Sequence, residues 1–307
     1  MHIGTLHPTP PYDFSLSVRL ARFHSVLDHF RDGAYWRALD LDGAVVLVRV
    51  VGRGTVDAPV LDVYRMAATG PMDDSHLLKR VECLLGVDAD MVPFYDVARQ
   101  DPVLWSLVEP LYGLKHVRSA SLFEALMVAI IEQQIALNLA QRGERWLLQW
   151  GGNGICHEGE TYYAFPLPAR IAAATEEDLL PLKITRIRMR VMRSVAQQLV
   201  DGAIDFDALL DAQMAQRALM QLKGVGLWTA SWAVIRAFGV YPYIGENDVA
   251  LQAAVNLYYF GQTGRVAQPV VRETLARYGD FSGAATFHIL MQWALRRYGG
   301  ETSAGNI

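Results

Sequence analysis

Residues 213–259 read QMAQRALMQLKGVGLWTASWAVIRAFGVYPYIGENDVALQAAVNLYY. Their many alanine, methionine, glutamine and leucine residues predict a helix over 213–222, and a second helix is predicted over 227–238. Gly239 follows the second helix, where a glycine is the expected residue just past a helix end. Gly224-Val225-Gly226 separates the two helices, since paired glycines indicate backbone angles or close approaches that a side chain prevents.

The glycine turn and the aspartate that follows it each suit one chemical task. A tight turn that opens into a helix N-terminus leaves backbone N–H groups pointing outward, and these hold a phosphate without contacting a base. Asp248 stands at the start of a third predicted helix, where its carboxylate can face the nucleotide that carries the phosphate. Two plainer interpretations stay open: the glycines form an ordinary turn, and Asp248 is an N-cap.

The segment LxGVGxWTA at 222–230 is followed, 22 residues after its second glycine, by Asp248. FEALMVAIIEQQIALNLA stands upstream at 123–140, and FSGAATFHILMQWALRRYG stands downstream at 281–299. In this order the three segments resemble the helix-hairpin-helix (HhH-GPD) DNA glycosylase superfamily, and within it the bacterial 3-methyladenine DNA glycosylase II enzymes. The resemblance covers roughly residues 90–300, and three ordered motifs are far more specific than the hairpin alone.

The resemblance implies an α+β fold. It places an N-terminal α/β lobe with an antiparallel sheet over 1–115, followed by an all-α HhH-GPD glycosylase region over 116–307. The hairpin lies near 213–238 in that second region, whose two lobes are expected to surround a cleft. The residues themselves also predict the N-terminal sheet. Short runs of β-branched and aromatic residues fill 12–70, and Asp42-Gly43 between two of them is a hairpin turn signal.

Most of the sequence outside these strand-like runs has a helical pattern. Ser121 with Glu124 is a capping-box signature at the head of one of them. Residues 151–168 have a poor helical pattern and predict a loop or a short hairpin. Outside the 213–259 stretch, helices are predicted over 74–85, 101–111 and 122–140.

Composition excludes several classes of protein. A chain of 307 residues with 52% hydrophobic content can bury a sizeable core, and its net charge of −4 confines any DNA contact to a local basic face. Cys83 and Cys156 are the only cysteines, too few for the four-cysteine iron–sulfur cluster of the endonuclease III branch. The sequence contains no signal-peptide pattern and no membrane-length apolar run. We expect a soluble, cytoplasmic and nucleoid-associated protein that carries no iron–sulfur cluster and needs no organic cofactor.

Asp248 is the expected catalytic residue. Breaking an N-glycosidic bond leaves a sugar with oxocarbenium character, which a fixed carboxylate stabilises. Trp228 and Trp232 lie four residues apart on one helix face, and with Phe281 they are the expected wall of a base pocket. Electron-rich indole faces attract cationic alkylated purines, although core packing is the other interpretation of the tryptophans.

Gln134 stands where the family places its intercalating wedge, the residue that fills the gap left by an extruded base. The alternative is a solvent-facing amide pair formed with Gln133. The resemblance also places the Schiff-base lysine of bifunctional members at Trp228, while Lys223 lies before the glycines. We therefore expect hydrolysis that leaves an abasic site without β-elimination.

Contacts with the DNA backbone are expected from two segments. In the hairpin the candidates are Gly224, Gly226 and Thr229, and the backbone carbonyls of Met220, Leu222 and Val225 stand where related hairpins ligate a monovalent cation, Na⁺ or K⁺. The second segment is a run of basic residues without an acid: Lys183, Arg186, Arg188, Arg190 and Arg193. Such a run is either a solvated helix face or a surface that steers phosphates, and Arg186, Arg188 and Arg190 are its predicted DNA contacts.

These features predict a monomeric, monofunctional DNA glycosylase of base excision repair that acts on damaged bases in double-stranded DNA. Alkylated purines such as 3-methyladenine are the expected substrates, but Val249, Trp232 and Gln134 depart from the family pattern, so the choice of base stays open. One alternative is a bifunctional glycosylase, or one for oxidised or deaminated bases. The other is a non-catalytic helix-hairpin-helix protein that binds DNA equally well without Asp248.

Overall fold

The computed structural model describes residues 1–23, 25–41 and 43–298. Its strands are β1 (His2–Leu6), β2 (His29–Arg31), β3 (Ala34–Leu41), β4 (Ala44–Thr55), β5 (Ala58–Ala68), β6 (Gly154–His157) and β7 (Glu160–Tyr163). Its α-helices are α1 (Phe14–Ala21), α2 (Asp74–Leu84), α3 (Val92–Ala98), α4 (Pro102–Val108), α5 (Leu122–Glu132), α6 (Leu137–Gly151), α7 (Pro168–Ala172), α8 (Arg186–Val200), α9 (Ala212–Met220), α10 (Leu227–Phe238), α11 (Val249–Phe260), α12 (Gln268–Ala276) and α13 (Ser282–Tyr298). Short 3-10 helices span Glu109–Leu111, Leu180–Leu182 and Gly279–Phe281. Across the described ranges, no helix is both long enough and apolar enough to cross a membrane.

Strands β1 to β5 form one antiparallel sheet in the order β1-β5-β4-β3-β2. Leu41 pairs with Ala44 across the predicted hairpin turn, in which Gly43 has a φ of 83° that favours glycine. Asp42, the other half of that turn signal, lies outside the described residues. The antiparallel sheet predicted for the N-terminal part of the chain is therefore confirmed.

Both faces of this sheet are covered, since successive side chains of a strand point to opposite sides. On one face Val46, Val48 and Val50 pack in a core that includes Leu77 and Val81 of α2. On the other face a smaller core joins strand residues to the β6–β7 hairpin, with Trp36, Leu47, Ile155 and Tyr162 among its members. Leu47, on the second face, is consequently fully buried.

The β6–β7 hairpin corrects the prediction that the chain is all-α after residue 115. Gly154 pairs with Tyr163 and His157 with Glu160 in an antiparallel register. The strands are short and carry few apolar residues, so their pattern is weak; they form because Ile155 and Tyr162 find apolar partners on the sheet. The expectation of a loop or short hairpin over 151–168 agrees with this structure.

Contacts between Cα atoms divide the chain into two compact units. Of the described residues, unit 1 contains those within 1–89 and 113–239, and unit 2 contains 90–112 and 240–298. This division differs from the predicted boundary at residues 115 and 116. The reason is that α3 and α4 pack with α13. The ring centroids of Phe94 in α3 and His288 in α13 lie 4.7 Å apart.

A buried ionic network fastens α5 to the sheet within unit 1. Arg37 of β3 donates to Asp28 at 3.1 Å and to Glu124 of α5 at 2.7 Å, and all three side chains are at most 3% exposed. The Tyr35 hydroxyl donates to Asp28 as well. Ser121 caps α5 as predicted, with its Oγ accepting from the Glu124 N–H, but the Glu124 carboxylate binds Arg37 rather than completing a capping box.

Replacing Arg37 by methionine should lower the free energy of unfolding by about 3–5 kcal/mol, because it leaves two buried carboxylates without their cation. Chemical denaturation followed by circular dichroism measures this change. Arg53→Met is the matched control, since Arg53 also pairs with an aspartate of the sheet but is largely exposed. It should leave stability nearly unchanged, and equal losses in both variants would contradict the role assigned to the buried network.

Candidate functional site

The predicted hairpin is formed by α9, the glycine turn and α10. Gly224 has a φ of 89°, and a Cβ atom there would lie 2.5 Å from a side-chain carbon of Val191 in α8. A glycine is thus required for both backbone angle and space. Gly226 is the N-cap of α10 and makes no side-chain capping bond, so the first N–H groups of that helix have no side-chain acceptor from it. This end of α10 is suited to bind an anion.

The carbonyl groups predicted to ligate a cation lie in the same turn. The Leu222 carbonyl accepts a hydrogen bond from the Val225 N–H at 3.0 Å, which uses one of its two lone pairs. Among the described residues there is no group of three histidine, cysteine, aspartate or glutamate side chains that could hold a metal. The predicted ligands are thus neutral backbone oxygens, a donor type that suits Na⁺ or K⁺.

The two tryptophans of α10 occupy different environments. Their ring centroids are 6.2 Å apart with an interplanar angle of 58°. Trp228 is half-buried, whereas Trp232 is only 7% exposed and has the Arg236 guanidinium 5.3 Å from its ring centroid. Of the pair, Trp228 offers the larger surface to a ligand.

Thr229 lies on the buried side of α10 and is 3% exposed. Its Oγ1 accepts a hydrogen bond of 2.7 Å from the Gln133 side-chain amide. The hydroxyl predicted to contact DNA is thus engaged inside the protein, and the first turn of α10 presents backbone N–H groups instead.

The helix predicted over 122–140 is wrong, because the chain breaks between α5 and α6. Gln133 is extended, with φ of −51° and ψ of 121°, and Gln134 has a left-handed φ of 48°. Ile131 and Ile135 keep the spacing of a continuous helix, so the apolar pattern conceals the break. Gln134, the predicted wedge, is exposed on the resulting turn, which is a geometry that a helix would not provide.

The predicted basic run lies at the start of α8. Arg186 and Arg190 are exposed and lie 3.5 and 3.6 Å from Glu176, while Arg188 is half-buried. Burial lowers the pKa of Arg188 from its ordinary value. Cations at a helix N-terminus oppose the helix dipole, and the first turn of α8 carries no acid. Glu176 offsets part of this positive charge, and the remaining exposed guanidinium surface is open to solvent.

Asp248 belongs to unit 2, where it is the N-cap of α11. Its Oδ1 accepts from the Leu251 N–H at 2.8 Å, and the side chain is partly exposed. The capping interpretation is therefore correct. The capping bond fixes the carboxylate at the head of α11. A carboxylate held in this way has little conformational freedom to lose when it meets a cationic centre.

Glu246, to which the sequence assigned no role, fixes the loop before Asp248. Its carboxylate binds Arg272 and accepts from the Tyr243 hydroxyl, and Arg272 is the main cause of the lowered pKa of Glu246. Its backbone carbonyl accepts from the Gln252 side chain at 2.9 Å. The only sequence signal for this bracing role is that Glu246 lies two residues before Asp248.

Phe281, the third predicted pocket residue, ends the 3-10 helix Gly279–Phe281 of unit 2 and is half-buried. Its ring centroid is 6.3 Å from that of Phe94, whose side chain is buried. Phe281 thus rests on a fixed aromatic neighbour and keeps part of its ring accessible.

No protein-family model matches the chain. A curated DNA-3-methyladenine glycosylase of Bacillus subtilis is 26% identical over 215 residues, which cover 69% of this chain and 71% of that protein. These findings confirm the resemblance found in the sequence.

Solved structures share the fold. The 3-methyladenine DNA glycosylase of Archaeoglobus fulgidus has a TM-score of 0.77 at 22% identity and covers 96% of this chain and 98% of its own. The 8-oxoguanine glycosylase/lyase of Clostridium acetobutylicum, in complex with double-stranded DNA, has a TM-score of 0.71 at 18% identity, over 94% of this chain and 93% of its own. The α+β fold class is confirmed.

Two substitutions separate the capping function of Asp248 from any chemical one. Asp248→Ala should lower the thermal midpoint, because losing an N-cap costs about 1 kcal/mol, whereas Asp248→Asn should not, because asparagine caps equally well. Differential scanning calorimetry measures the thermal midpoint of each variant. Asp211→Ala and Asp211→Asn are the controls, since Asp211 caps α9 in the same way. A midpoint lowered by the asparagine variant would contradict this expectation.

Proposed function

We propose that this homologue of the DNA-3-methyladenine glycosylases is a monofunctional DNA glycosylase that removes alkylated purines in base excision repair. The observation that carries the proposal is the carboxylate of Asp248, held by its own N-cap bond at the head of α11 and still partly exposed. A DNA-binding protein without chemistry needs this carboxylate only as a helix cap, a role that does not require it to be exposed.

Asp248 stabilises the positive charge that develops on the sugar as the N-glycosidic bond breaks. Its fixed position means that little reorganisation accompanies the reaction. An N3- or N7-alkylated purine is cationic and already a good leaving group, so the reaction needs no strong general acid. Water then adds to the sugar and leaves an abasic site.

The sequence of α10 supports hydrolysis rather than strand cleavage. A lyase forms a Schiff base with a lysine amine, and α10 contains tryptophan at the corresponding position and no lysine at all. Trp228 instead offers an indole face on which a cationic purine can stack. Trp232 packs against Trp228 from the buried side. Phe281, which belongs to unit 2, stays a predicted contact of the base.

Double-stranded DNA with damaged bases is the proposed partner. The N–H groups at the start of α10 bind one phosphate, and the basic residues at the start of α8 attract others. Gln134 enters the duplex where the damaged base leaves it. A single glycosylase unit needs no symmetry partner, so we infer a monomer. We place the enzyme with the chromosome, in the cytoplasm at the nucleoid.

A monovalent cation is part of this proposal. The carbonyls of Met220, Leu222 and Val225 would hold it, and a bound ion there would supply positive charge beside a DNA phosphate. Neutral oxygens in a tight turn are suitable donors for Na⁺ or K⁺. No organic cofactor is required for the hydrolysis, because a carboxylate and water supply all the chemistry.

Incubation with methylated duplex DNA should release free 3-methyladenine or 7-methylguanine, with strand breaks only after alkali. Chromatography of the released bases and denaturing electrophoresis of the strands measure the two results. Asp248→Asn should abolish release while DNA binding persists. Strand breaks without alkali would contradict monofunctional hydrolysis, and unchanged activity in the variant would contradict the role of Asp248. If wild-type protein releases nothing from alkylated, deaminated or oxidised DNA, the protein is a binding module.

Neutralising Arg186, Arg188 and Arg190 together by glutamine should weaken the salt dependence of duplex binding. Each lost phosphate contact reduces the slope of log K against log salt by about 0.9, so a decrease of roughly 1–3 is expected. Fluorescence anisotropy at several salt concentrations measures it. Arg53→Gln with Arg99→Gln, two exposed and ion-paired arginines elsewhere, is the control. An unchanged slope would show that the three α8 arginines do not contact DNA phosphates.

A further inference from the structure

We propose that Gln133, Thr229, Glu132 and Arg236 form a clamp that positions Gln134 for insertion into duplex DNA. The clamp joins the end of α5 to one face of α10. This inference rests on the proposed function, because it concerns how the predicted wedge reaches its place. None of the four side chains needs to touch the DNA.

The turn that carries Gln134 requires external support. A left-handed backbone at a residue with a side chain is unfavourable by about 1–2 kcal/mol relative to the right-handed region. Gln134 has a φ of 48° and is exposed, so its own side chain is not packed in the protein core. Contacts of the neighbouring residues must therefore hold this conformation.

Gln133 provides the first of these contacts. Its side-chain amide donates to Thr229 Oγ1 at 2.7 Å, and Thr229 is buried in the first turn of α10. Gln133 is tied to α10 by this bond, whereas the neighbouring Gln134 is exposed. Of two adjacent glutamines, the structure thus leaves one available for DNA and uses the other as an anchor.

Glu132 provides the second contact. Its Oε2 accepts from the Arg236 guanidinium, and both side chains are largely buried. Burial raises the pKa of Glu132, and the nearby Arg236 opposes that rise. Thr229 and Arg236 are seven residues apart, about two turns of α10, and Trp232 lies between them on the same face.

Two anchors two turns apart hold the end of α5 against both sliding and rotation. Extruding a base from a duplex costs a few kcal/mol, and the wedge must retain its position while that cost is met. If the clamp is loosened, Gln134 can relax to a more common backbone conformation and insert less often. A single-stranded substrate has no partner base to separate, so it should be largely insensitive to the clamp.

The test compares single-turnover excision of 7-methylguanine from a duplex and from a single strand of the same sequence. Gln133→Met removes the donor, and Thr229→Val removes the acceptor with little change in shape. Each variant should slow excision from the duplex about tenfold, the value of one hydrogen bond, and from the single strand less than about twofold. Equal loss on both substrates would overturn the clamp while leaving the glycosylase intact.

Gln216→Met is the matched control, because the Gln216 amide donates to the Ser231 hydroxyl of the same helix α10 at 2.8 Å. It should alter the two rates by the same factor. Thermal midpoints of all variants identify any that fail to fold. Absence of excision by the wild-type protein on both substrates would instead overturn the proposed function.

A double-mutant cycle tests whether Gln133 acts through Gln134. Gln134→Ala should itself slow excision from the duplex selectively. Once Gln134 is gone its position no longer matters, so Gln133→Met with Gln134→Ala should be no slower than Gln134→Ala alone. Multiplicative losses in the double variant would show independent roles and would overturn the proposal.

Discussion

The pairing of α5 with α10 is the constraint on which the rest of unit 1 depends. Residues 122–131 of α5 are all buried, and so are residues 229–236 of α10. A helix that is buried on every side must be surrounded by other elements. The sheet reaches α5 through Arg37, α9 packs on α10, and α8 approaches the hairpin so closely that Gly224 has no room for a side chain.

Charged groups lie within this packing rather than around it. Glu124 and Glu132 are on α5, Glu144 is on α6, and Arg236 is on α10. Removing charges from water costs several kcal/mol each, and paired partners recover that cost only in good geometry. Burial and the neighbouring Glu132 accordingly raise the pKa of Glu144 well above its ordinary value. Such groups are poor sources of stability, but they require one specific arrangement of the helices.

Local signals in the sequence were sufficient for the hairpin and for the start of α11. The bounds 227–238 for α10 and the N-cap at Asp248 follow from glycine and aspartate chemistry, which acts over a few residues. The break at Gln133 is accompanied instead by a bond to Thr229, 96 residues away, and the apolar spacing on either side is that of an intact helix. Sequence patterns do not contain such distant contacts.

The same distinction applies to the candidate site and to the division of the chain. The resemblance identified Asp248, Trp228 and Gln134 as candidates, but not that Thr229 and Trp232 are buried or that Glu246 braces the loop before Asp248. Likewise, Asp101 accepts from the Tyr278 hydroxyl at 2.7 Å across a separation of 177 residues. No local pattern predicts that these two residues belong to one compact unit.

That discontinuity has a consequence for synthesis on the ribosome. Residues 90–112 emerge early, yet the helices against which they fold begin only after residue 240. At typical elongation rates, the intervening 113–239 segment takes roughly 6 to 25 s to appear. Throughout that interval Phe94 and Leu104, both buried in the finished protein, lack the partners that the chain after residue 240 supplies. The nascent chain therefore carries exposed apolar side chains long enough to recruit a chaperone.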